Sequence, residues 1–417
     1  MAAQFIPRIF LWWHRTPLYI RILAGMFLGV VVGLSLGEKA EILSVPSKLV
    51  LQLLGALAPG LILFAIIQAL LTAKIEGARL IRLLLLNTLV AIMIGLAVAN
   101  VVEPGKWASF QDPVTSSDKT DAPHVGMLYQ FLENVPKSLL GPLGDDGKVI
   151  GVIFLAVAFG VALRRSVEKP IRNVVDAVNL MVEALIVILH WIIDLVPLAV
   201  FGIVASIIGV KGFAAFHALG AFVFAVILAL ILQGCYYLIR IRIWSWVRPW
   251  DLLRLSRDAL VMAFSTSSST VTMPLTFECL RKRVGLREKS ASMGALVGSN
   301  FNNDGTALYE AMAALFISQM LVVQGLGVDL TVTQQLLVVL TSVAASVGAA
   351  GIPEAGLVTM TMVFQAVGLP IEYIALLLPV DWFLDRCRTV INVMGDMNVS
   401  CMLDGKTRES PQEAQSI

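Results

Sequence analysis

The sequence has 417 residues, of which 58% are hydrophobic and only 14% are charged. A soluble domain carries about 25% charged residues, so this composition excludes an ordinary soluble protein and predicts one embedded in a lipid bilayer. We expect no nucleic-acid partner. The net charge of +2 says little by itself, because the placement of the charges matters more than their sum.

Hydrophobic segments of about 20 residues, long enough to cross a bilayer, recur along the chain. The first six are residues 18–36, 49–73, 80–102, 149–163, 180–208 and 213–239. No small-residue cleavage site follows the first segment, so we expect it to be retained as a membrane helix rather than removed as a signal peptide.

Basic residues alternate with these six segments in the way that cytoplasmic loops require. The clusters are Arg8 and Arg15; Lys74, Arg79 and Arg82; Arg164, Arg165, Lys169 and Arg172; and Arg240, Arg242, Arg248, Arg254 and Arg257. The loop at residues 103–125 is acidic and rich in Pro and Ser, which predicts an external, irregular loop. Lys406 and Arg408 follow the last segment, so both termini are expected in the cytoplasm.

The alternation breaks after the sixth segment, because a second basic cluster at residues 281–289 follows only one hydrophobic stretch later. One crossing cannot place both ends of residues 258–280 on the cytoplasmic side. The stretch contains a run of Ser and Thr and then Pro274, which makes it too polar to face lipid. A re-entrant hairpin fits both facts, since non-helical backbone at membrane depth requires cover from protein or water.

A second hairpin is predicted at residues 336–367, between two loops that lack Lys and Arg and around a centre of small residues, Gly and Pro353. The C-terminal half is therefore predicted as hairpin, broken helix, hairpin and broken helix, in two oppositely oriented pairs. Inverted repeats of this kind are typical of secondary transporters. Two ordinary kinked helices are the alternative.

The first broken segment, residues 298–310, places Asp304 among Asn and Gly inside an apolar run. A carboxylate there is unfavourable unless it is paired or bound to a cation. Asp304, together with carbonyl groups freed by the glycines, predicts a site for a desolvated monovalent cation.

The second segment, residues 381–396, carries a polar stripe. Asp381, Asp385, Arg388, Asn392 and Asp396 follow at spacings of four, three, four and four, so they share one helix face. Arg388 offers a planar fork for a carboxylate, and Asp385 can accept hydrogen bonds from an ammonium group. The stripe therefore predicts a site for a zwitterion with an extra carboxylate. The alternative is an internal ion pair between Asp385 and Arg388 with no ligand.

The cysteines and histidines indicate no metal site. Cys235, Cys279, Cys387 and Cys401 lack a CxxC spacing and are expected to be buried free thiols, and the four histidines are scattered.

Four motifs in order make the chain resemble the dicarboxylate/amino acid:cation symporters, the glutamate transporter family. They are the serines at 267–269 before Met273-Pro274, then NNDGTALYE, GAAGIPEAGLV and DRCRTVINVMGD. The resemblance implies an all-α membrane protein with eight transmembrane helices plus two re-entrant helical hairpins, and a glutamate-transporter-like fold with inverted repeats. It also implies a homotrimer that works by an elevator mechanism, in the plasma membrane or in a bacterial inner membrane.

The resemblance divides the chain into four parts. Residues 1–125 hold the N-terminal scaffold and part of the transport domain, and residues 126–249 the fourth to sixth transmembrane helices. The transport core is expected at residues 250–404 and a cytoplasmic tail at residues 405–417.

The resemblance further implies residues that bind the substrate. They are Ser268, Ser269, Thr306, Gly351, Ile352, Gly356, Asp385, Arg388, Thr389 and Asn392. Arg388 would bind the side-chain carboxylate and Asp385 the amino group, while the hairpin tip around Gly351 and Ile352 would close as an extracellular gate.

Sodium ions are the implied coupling ions, with protons as a possible addition and no organic cofactor. The implied cation ligands are Thr88, Gly298, Asn300, Asn302, Asp304, Ser346, Val347, Ala349, Asn392 and Asp396. One site would use Gly298, Asn302, Asn392 and Asp396, a second the backbone near Asn300 and residues 346–349, and a third Asp304 with Asn302. Glu310 matches a protonatable glutamate of the family.

Some positions depart from the usual family pattern. Asn303 replaces a methionine, Asn87 lies where a hydroxyl is usual and leaves only Thr88 fitting in the third segment, and Glu354 lies in the second hairpin. Ser267 stands where some prokaryotic members carry an arginine, while Arg386 appears in the last segment instead. These departures leave the number and identity of the coupled ions open.

The sequence thus predicts a secondary transporter, not an enzyme, that takes up L-aspartate or L-glutamate with sodium. A proton-coupled or weakly coupled carrier, and a neutral amino acid or dicarboxylate carrier with anion-channel activity, are the alternatives. A passive channel is the competing class. An intramembrane aspartyl protease is disfavoured because residues 393–396 lack the first glycine of GxGD.

Overall fold

In a computed structural model, which describes residues 16–72, 78–107, 149–164, 166, 169–212, 214–327, 329–348 and 355–408, all regular structure is helical. We number the α-helices of these residues in chain order. They are α1 Leu18–Leu36, α2 Val45–Thr72, α3 Ala78–Val102, α4 Val149–Arg164, α5 Val174–Ile193, α6 Val196–Lys211, α7 Ala214–Trp244, α8 Pro249–Leu255, α9 Arg257–Thr266, α10 Ser269–Glu278, α11 Glu288–Ser292, α12 Asp304–Val323, α13 Val332–Gly348, α14 Ala355–Ala366 and α15 Leu378–Asp404.

Several of these helices are long and apolar enough to cross a membrane. Within the described ranges the candidate spans are Leu18–Ala65, Ala78–Trp107, Val174–Val210, His217–Trp244 and Asp304–Val323. Large apolar side chains such as Phe27, Met93 and Phe224 point outward from them, as expected where lipid covers the surface. The protein is therefore a multi-pass membrane protein.

The observed helices agree with most of the predicted segments but divide the fifth. α1 has the predicted bounds, whereas residues 180–208, which lie within the candidate span Val174–Val210, are not one continuous helix. The helix stops at Asp194, and α6 begins two residues later with Pro197 in its first turn. A proline at that position has no amide hydrogen to donate, so it is tolerated there and marks the break. Arg21 Nη1 on α1 donates to Asp194 Oδ1 at 3.0 Å.

Glycines bring α1 and α6 into close contact. Gly25, Gly29 and Gly33 lie four residues apart on one face of α1, and a Cβ at any of them would come within 2.6–2.7 Å of a carbonyl oxygen of α6. Small residues at this spacing let helix backbones approach closely in membranes. The pair therefore packs backbone to backbone.

We expect Gly29→Ala to destabilise the protein by about 1–3 kcal/mol, the range for inserting a methyl group into a close-packed contact. The new Cβ would lie 2.7 Å from the carbonyl oxygen of Phe201. Thermal unfolding of detergent-purified protein measures the effect. Gly220→Ala is the matched control, since its Cβ would meet nothing within 4 Å. Equal melting temperatures for the two variants would contradict the packing described here.

Two short helices follow α8. α9 has ten residues, and the ten residues of α10 continue directly into a π-helix at Cys279–Val284, so neither arm reaches the roughly 20 residues needed to cross a bilayer. Ser267 joins them with a left-handed backbone, φ 51°, and the Ser268 side chain accepts a hydrogen bond from the amide of Val271. These lengths agree with the predicted first hairpin. In the second, α13 and α14 are observed, while Ala349, Gly351, Ile352 and Glu354 lie outside the described residues.

The two segments that carry the predicted sites differ in continuity. The helix is interrupted between residues 300 and 304, where the sequence predicts a break. The predicted break in the last segment is wrong, because α15 runs without interruption over 27 residues. Its Pro379 lies in the first turn, where proline is tolerated, and Gly395 lies where a Cβ would come 2.3 Å from Asn302 Nδ2.

α12 is the central helix, buried from Asp304 to Leu321. Its apolar part packs against α7, where the rings of Phe222 and Phe316 are 4.6 Å apart. Near the start of α15, Trp382 stacks on Tyr19 of α1, with the ring centroids 6.1 Å apart. The Arg386 guanidinium lies 5.3 Å from the same Tyr19 ring. Thus α15 connects the polar centre to α1.

The four cysteines are free, as predicted, but they are not all buried. Cys279 and Cys401 are buried and Cys387 is partly buried, whereas Cys235 is exposed on α7. The described residues contain no cluster of three or more His, Cys, Asp or Glu side chains that could hold a metal ion.

Candidate substrate and cation site

Arg388 is the centre of the polar stripe on α15, and its side chain is completely buried. Its Nη2 donates to Asp381 Oδ1 at 3.0 Å and to Asp385 Oδ1 at 2.9 Å. The guanidinium also lies 4.0 Å above the ring of Tyr309 on α12, a cation–π contact. The ion pair between Asp385 and Arg388 that the sequence left as an alternative therefore exists.

The same guanidinium keeps unused donors. Nε and Nη1 of Arg388 have no hydrogen-bond partner among the described residues, although both atoms are buried. Buried donors are nearly always satisfied, and leaving one without a partner costs about 1–3 kcal/mol or more for a charged group. Nε and Nη1 lie on different edges of the guanidinium, so each offers a separate N–H to an acceptor such as a carboxylate oxygen.

The end of α9 lies against Arg386, two residues before Arg388 on α15. Arg386 Nη1 donates to the carbonyl oxygens of Phe264 at 2.9 Å and Ser265 at 2.7 Å, which places the α9–α10 tip against α15. A cavity of about 330 Å³ opens there, and Ser265, Ser267, Asp381, Asp385 and Arg386 are among its lining residues. Asp381 and Asp385, which accept hydrogen bonds from Arg388, therefore line a cavity large enough for a small ligand.

Gly356, at the start of α14, covers the other side of the guanidinium. A Cβ at Gly356 would lie 2.5 Å from Nη1 of Arg388, so only glycine fits without moving the arginine.

We expect Gly356→Ala to lower substrate affinity by about tenfold or more, the effect of roughly 1.4 kcal/mol, because Nη1 is one of the two unused donors. The measurement is ligand binding to the purified variant. Gly160→Ala on α4 is the control, since its Cβ would meet nothing within 4 Å. Equal affinities for both variants would show that Gly356 has no role at the site.

A second cluster forms where Asn302 meets α15. Asn302 Nδ2 donates to Asp396 Oδ1 at 3.0 Å and to the carbonyl oxygen of Asn392 at 3.2 Å. A Cβ at Gly298 would be 3.5 Å from Asp396 Oδ1, so Gly298 borders the same point. Asn302 Oδ1 is buried and accepts no hydrogen bond within the described ranges. An orphaned oxygen beside a carboxylate and a carbonyl group fits a hard cation, which prefers oxygen ligands.

Asp304 lies in a third cluster. Its Oδ1 accepts from Thr88 Oγ1 of α3 at 2.6 Å, and its Oδ2 accepts from the hydroxyl of Tyr237 on α7. Asn392 connects this end of α12 to α15, because its Oδ1 accepts from the amide of Gly305 at 2.8 Å.

Glu310 is buried one turn further along α12. It accepts a hydrogen bond from Thr359 Oγ1 on α14. Its Oε2 and the nearby Ser342 hydroxyl on α13 are both buried without a hydrogen-bond partner in the part of the chain that is described. Glu310 therefore contacts both arms of the predicted second hairpin.

A profile of the sodium:dicarboxylate symporter family matches residues 18–406. The chain belongs to this family. It is 34% identical over 305 residues to excitatory amino acid transporter 3 of Oryctolagus cuniculus, an alignment that covers 70% of this chain and 56% of the relative. It is 30% identical over 446 aligned positions to excitatory amino acid transporter 1 of Ambystoma tigrinum, with 88% and 80% covered. Excitatory amino acid transporter 4 of Mus musculus is 37% identical over 280 residues, with 64% and 47% covered.

Apart from the Ambystoma protein, the chain spans about half the length of these curated relatives. The matched family is described as symporters, and these relatives are named as transporters.

The structure brings most of the expected symporter residues together. Asp385 and Arg388 form one contact, Gly298, Asn302, Asn392 and Asp396 another, and Thr88 and Asp304 a third. Ser269 and Thr306 are buried. Thr389 Oγ1 donates to the carbonyl oxygen of Asp385 within α15 at 2.8 Å. The side chains of Asn300, Ser346 and Val347, and all of Ala349, Gly351 and Ile352, lie outside the described residues.

Sequence reasoning missed one part of the symporter site, the polar face of α7. It predicted Arg240 only as part of a cytoplasmic cluster and did not foresee that, near the end of α7, its Nη1 donates to Asn87 Oδ1 on α3. Gln233, Tyr237 and Arg240 repeat at spacings of four and three, so their helical periodicity was the available signal.

Proposed function

We propose that this protein is a secondary active transporter that takes up an acidic amino acid, L-aspartate or L-glutamate, with sodium. The observation that carries the proposal is the buried Arg388, whose Nε and Nη1 lack partners within the described structure while Nη2 is paired with Asp381 and Asp385. The ion pair fixes the guanidinium, and the two donors that remain, Nε and Nη1, can each donate a charge-assisted hydrogen bond to a carboxylate oxygen.

The acidic residues beside Arg388 favour an amino acid over a plain dicarboxylate. Two carboxylates, Asp381 and Asp385, share one guanidinium, so they leave acceptor capacity for an ammonium group. Both border the cavity at the α9–α10 tip. A ligand that carries one ammonium and two carboxylates satisfies both signs of charge, whereas a plain dicarboxylate leaves the carboxylates without a new partner.

Sodium is the proposed coupling ion at the cluster of Gly298, Asn302, Asn392 and Asp396. The buried, orphaned Asn302 Oδ1 beside the Asp396 carboxylate supports this assignment, and the family description names sodium. These residues would hold the ion between α15 and the segment that precedes α12, one to two turns along α15 from Arg388.

The finer architecture is part of the same proposal. We propose eight transmembrane helices and two re-entrant hairpins, α9–α10 and α13–α14, with cytoplasmic termini and a homotrimeric assembly in a plasma or bacterial inner membrane. In an elevator movement, residues 250–404 would carry the site past a scaffold that includes α1 and α6. The short helices α9 and α10, joined at Ser267, support the first hairpin. The close contact between α1 and α6 supports a rigid scaffold.

Proton coupling is the second candidate, and Glu310 favours it. The buried carboxyl group has one oxygen without a hydrogen-bond partner among the described residues and contacts both arms of the second hairpin. A group in that position can exchange a proton when the hairpin moves.

Uptake of labelled L-aspartate and L-glutamate into proteoliposomes tests the function, with a sodium gradient and a pH gradient imposed separately. We expect saturable uptake that requires sodium and that unlabelled aspartate inhibits more strongly than succinate or alanine. Uptake driven by the pH gradient alone would replace sodium with protons as the coupling ion. No acidic amino acid uptake under either gradient would refute the function.

A further inference from the structure

The polar face of α7 reaches the carboxylate that the family resemblance assigns to a third sodium ion. Tyr237 is completely buried and donates its hydroxyl hydrogen to Asp304 Oδ2, and Arg240, one turn along the same face, donates to Asn87 Oδ1. Asn87 precedes Thr88, which donates to Asp304 Oδ1. Arg240 is therefore joined to the Asp304 cluster through a neighbouring buried side chain.

The residues in this cluster do not fit a bound sodium ion. A desolvated cation needs several oxygen atoms that converge on one point. Both oxygens of Asp304 accept hydrogen bonds from hydroxyl groups, and the Asn87 amide oxygen accepts from a guanidinium. Asn302, the other residue implied for a third ion, turns its amide nitrogen to Asp396 and Asn392, and its orphaned Oδ1 is already assigned to the sodium ion beside Asp396.

Charge also opposes a sodium ion there. Arginine stays protonated in proteins, so Arg240, which donates to Asn87 next to Thr88, brings a fixed positive charge to the side chains around Asp304. The guanidinium also lies 5.4 Å from the Tyr236 ring, a contact that favours its position over an aromatic face. A sodium ion bound at Asp304 would be repelled by this charge, because the buried surroundings of Asp304, Asn87 and Tyr237 screen charges less than water does.

We propose that Arg240 is a tethered cation that supplies the positive charge required by Asp304, so that the protein binds one sodium ion fewer than the three sites implied by its family resemblance. The inference rests on the proposed function only in taking sodium as the coupling ion. It predicts that Asp304 does not contribute to sodium binding in the native chain.

The test measures sodium binding without substrate. Melting temperatures of the purified protein are recorded over a 100-fold range of sodium chloride, with choline chloride added to keep ionic strength constant. A ligand that binds only the folded state raises stability in proportion to the logarithm of its concentration, so the slope counts bound ions. We expect Arg240→Gln to steepen the slope by about one ion relative to the native chain, because Asp304 then lacks its cation. Arg242→Gln, an exposed position on the same helix, should leave the slope unchanged.

Asp304→Asn provides the second variant, and it applies even if Arg240→Gln does not fold. In the native background we expect Asp304→Asn to leave the sodium slope unchanged, and in the Arg240→Gln background to remove the gained ion. An unchanged slope in Arg240→Gln, or a shallower slope in Asp304→Asn alone, would overturn the proposal. Because no substrate is present, a failure to transport acidic amino acids refutes the proposed function and leaves this test intact.

Discussion

Arg388→Cys is expected to abolish the binding of aspartate and glutamate while the protein still accepts small neutral amino acids. The substitution removes the buried guanidinium whose Nε and Nη1 have no partner within the described residues. Losing one partner of a buried, charge-assisted contact costs about 2–5 kcal/mol, which corresponds to roughly 30- to 5,000-fold in affinity. The variant also leaves Asp381 and Asp385 without their shared cation, and these can still receive an ammonium group.

Competition by aspartate, glutamate, serine and alanine for a common labelled substrate measures this change of preference. Arg388→Lys should also lose acidic substrates, because an ammonium group cannot replace a planar fork. Arg248→Cys, at an exposed position, controls for the introduction of a thiol. Undiminished aspartate affinity in Arg388→Cys would remove the arginine from the substrate site.

Asp396→Asn is expected to have the next largest effect, on sodium. The substitution keeps the shape of the side chain but removes the charge next to Asn302 and Gly298. Loss of an outer-shell partner at a metal site already weakens metal binding roughly 10- to 100-fold, and a charged ligand should matter at least as much. The sodium concentration for half-maximal uptake should rise accordingly, with little change in substrate affinity at saturating sodium.

Sodium titration of uptake measures this effect, and Asp251→Asn at the exposed start of α8 is the matched control. Identical sodium dependence in Asp396→Asn and native protein would place the ion elsewhere.

Features encoded locally could be predicted from the sequence. The bounds of α1 follow from an apolar run between Pro17 and Gly37 that contains a single charged residue, Arg21, and the break before Asp304 follows from Asn and Gly residues, which disfavour a helix. The stripe on α15 was visible because helical periodicity alone aligns Asp385, Arg388 and Asp396.

Features that depend on tertiary contact could not be predicted in this way. Hydropathy does not register the short break after Asp194, since apolar residues continue on both sides of it. The continuity of α15 was misjudged because polar residues were taken as a sign of broken helix, although carbonyl groups at the end of α9 accept from Arg386 and Asn302, just before α12, donates to Asp396. The contact between Arg240 and Asn87 joins residues 153 positions apart, and a basic residue near a helix end reads equally well as a cytoplasmic charge.

The stacking of Trp382 on Tyr19 has a spectroscopic consequence. Trp382 is one of eight tryptophans, and it lies at the contact between α15 and α1 with Arg386 close to the same tyrosine ring. In the proposed elevator movement α15 slides past α1, so the Trp382 indole leaves the Tyr19 ring and its surroundings change. Its intrinsic emission is then a label-free signal of the movement, readable in stopped-flow mixing and assignable by comparison with Trp382→Phe.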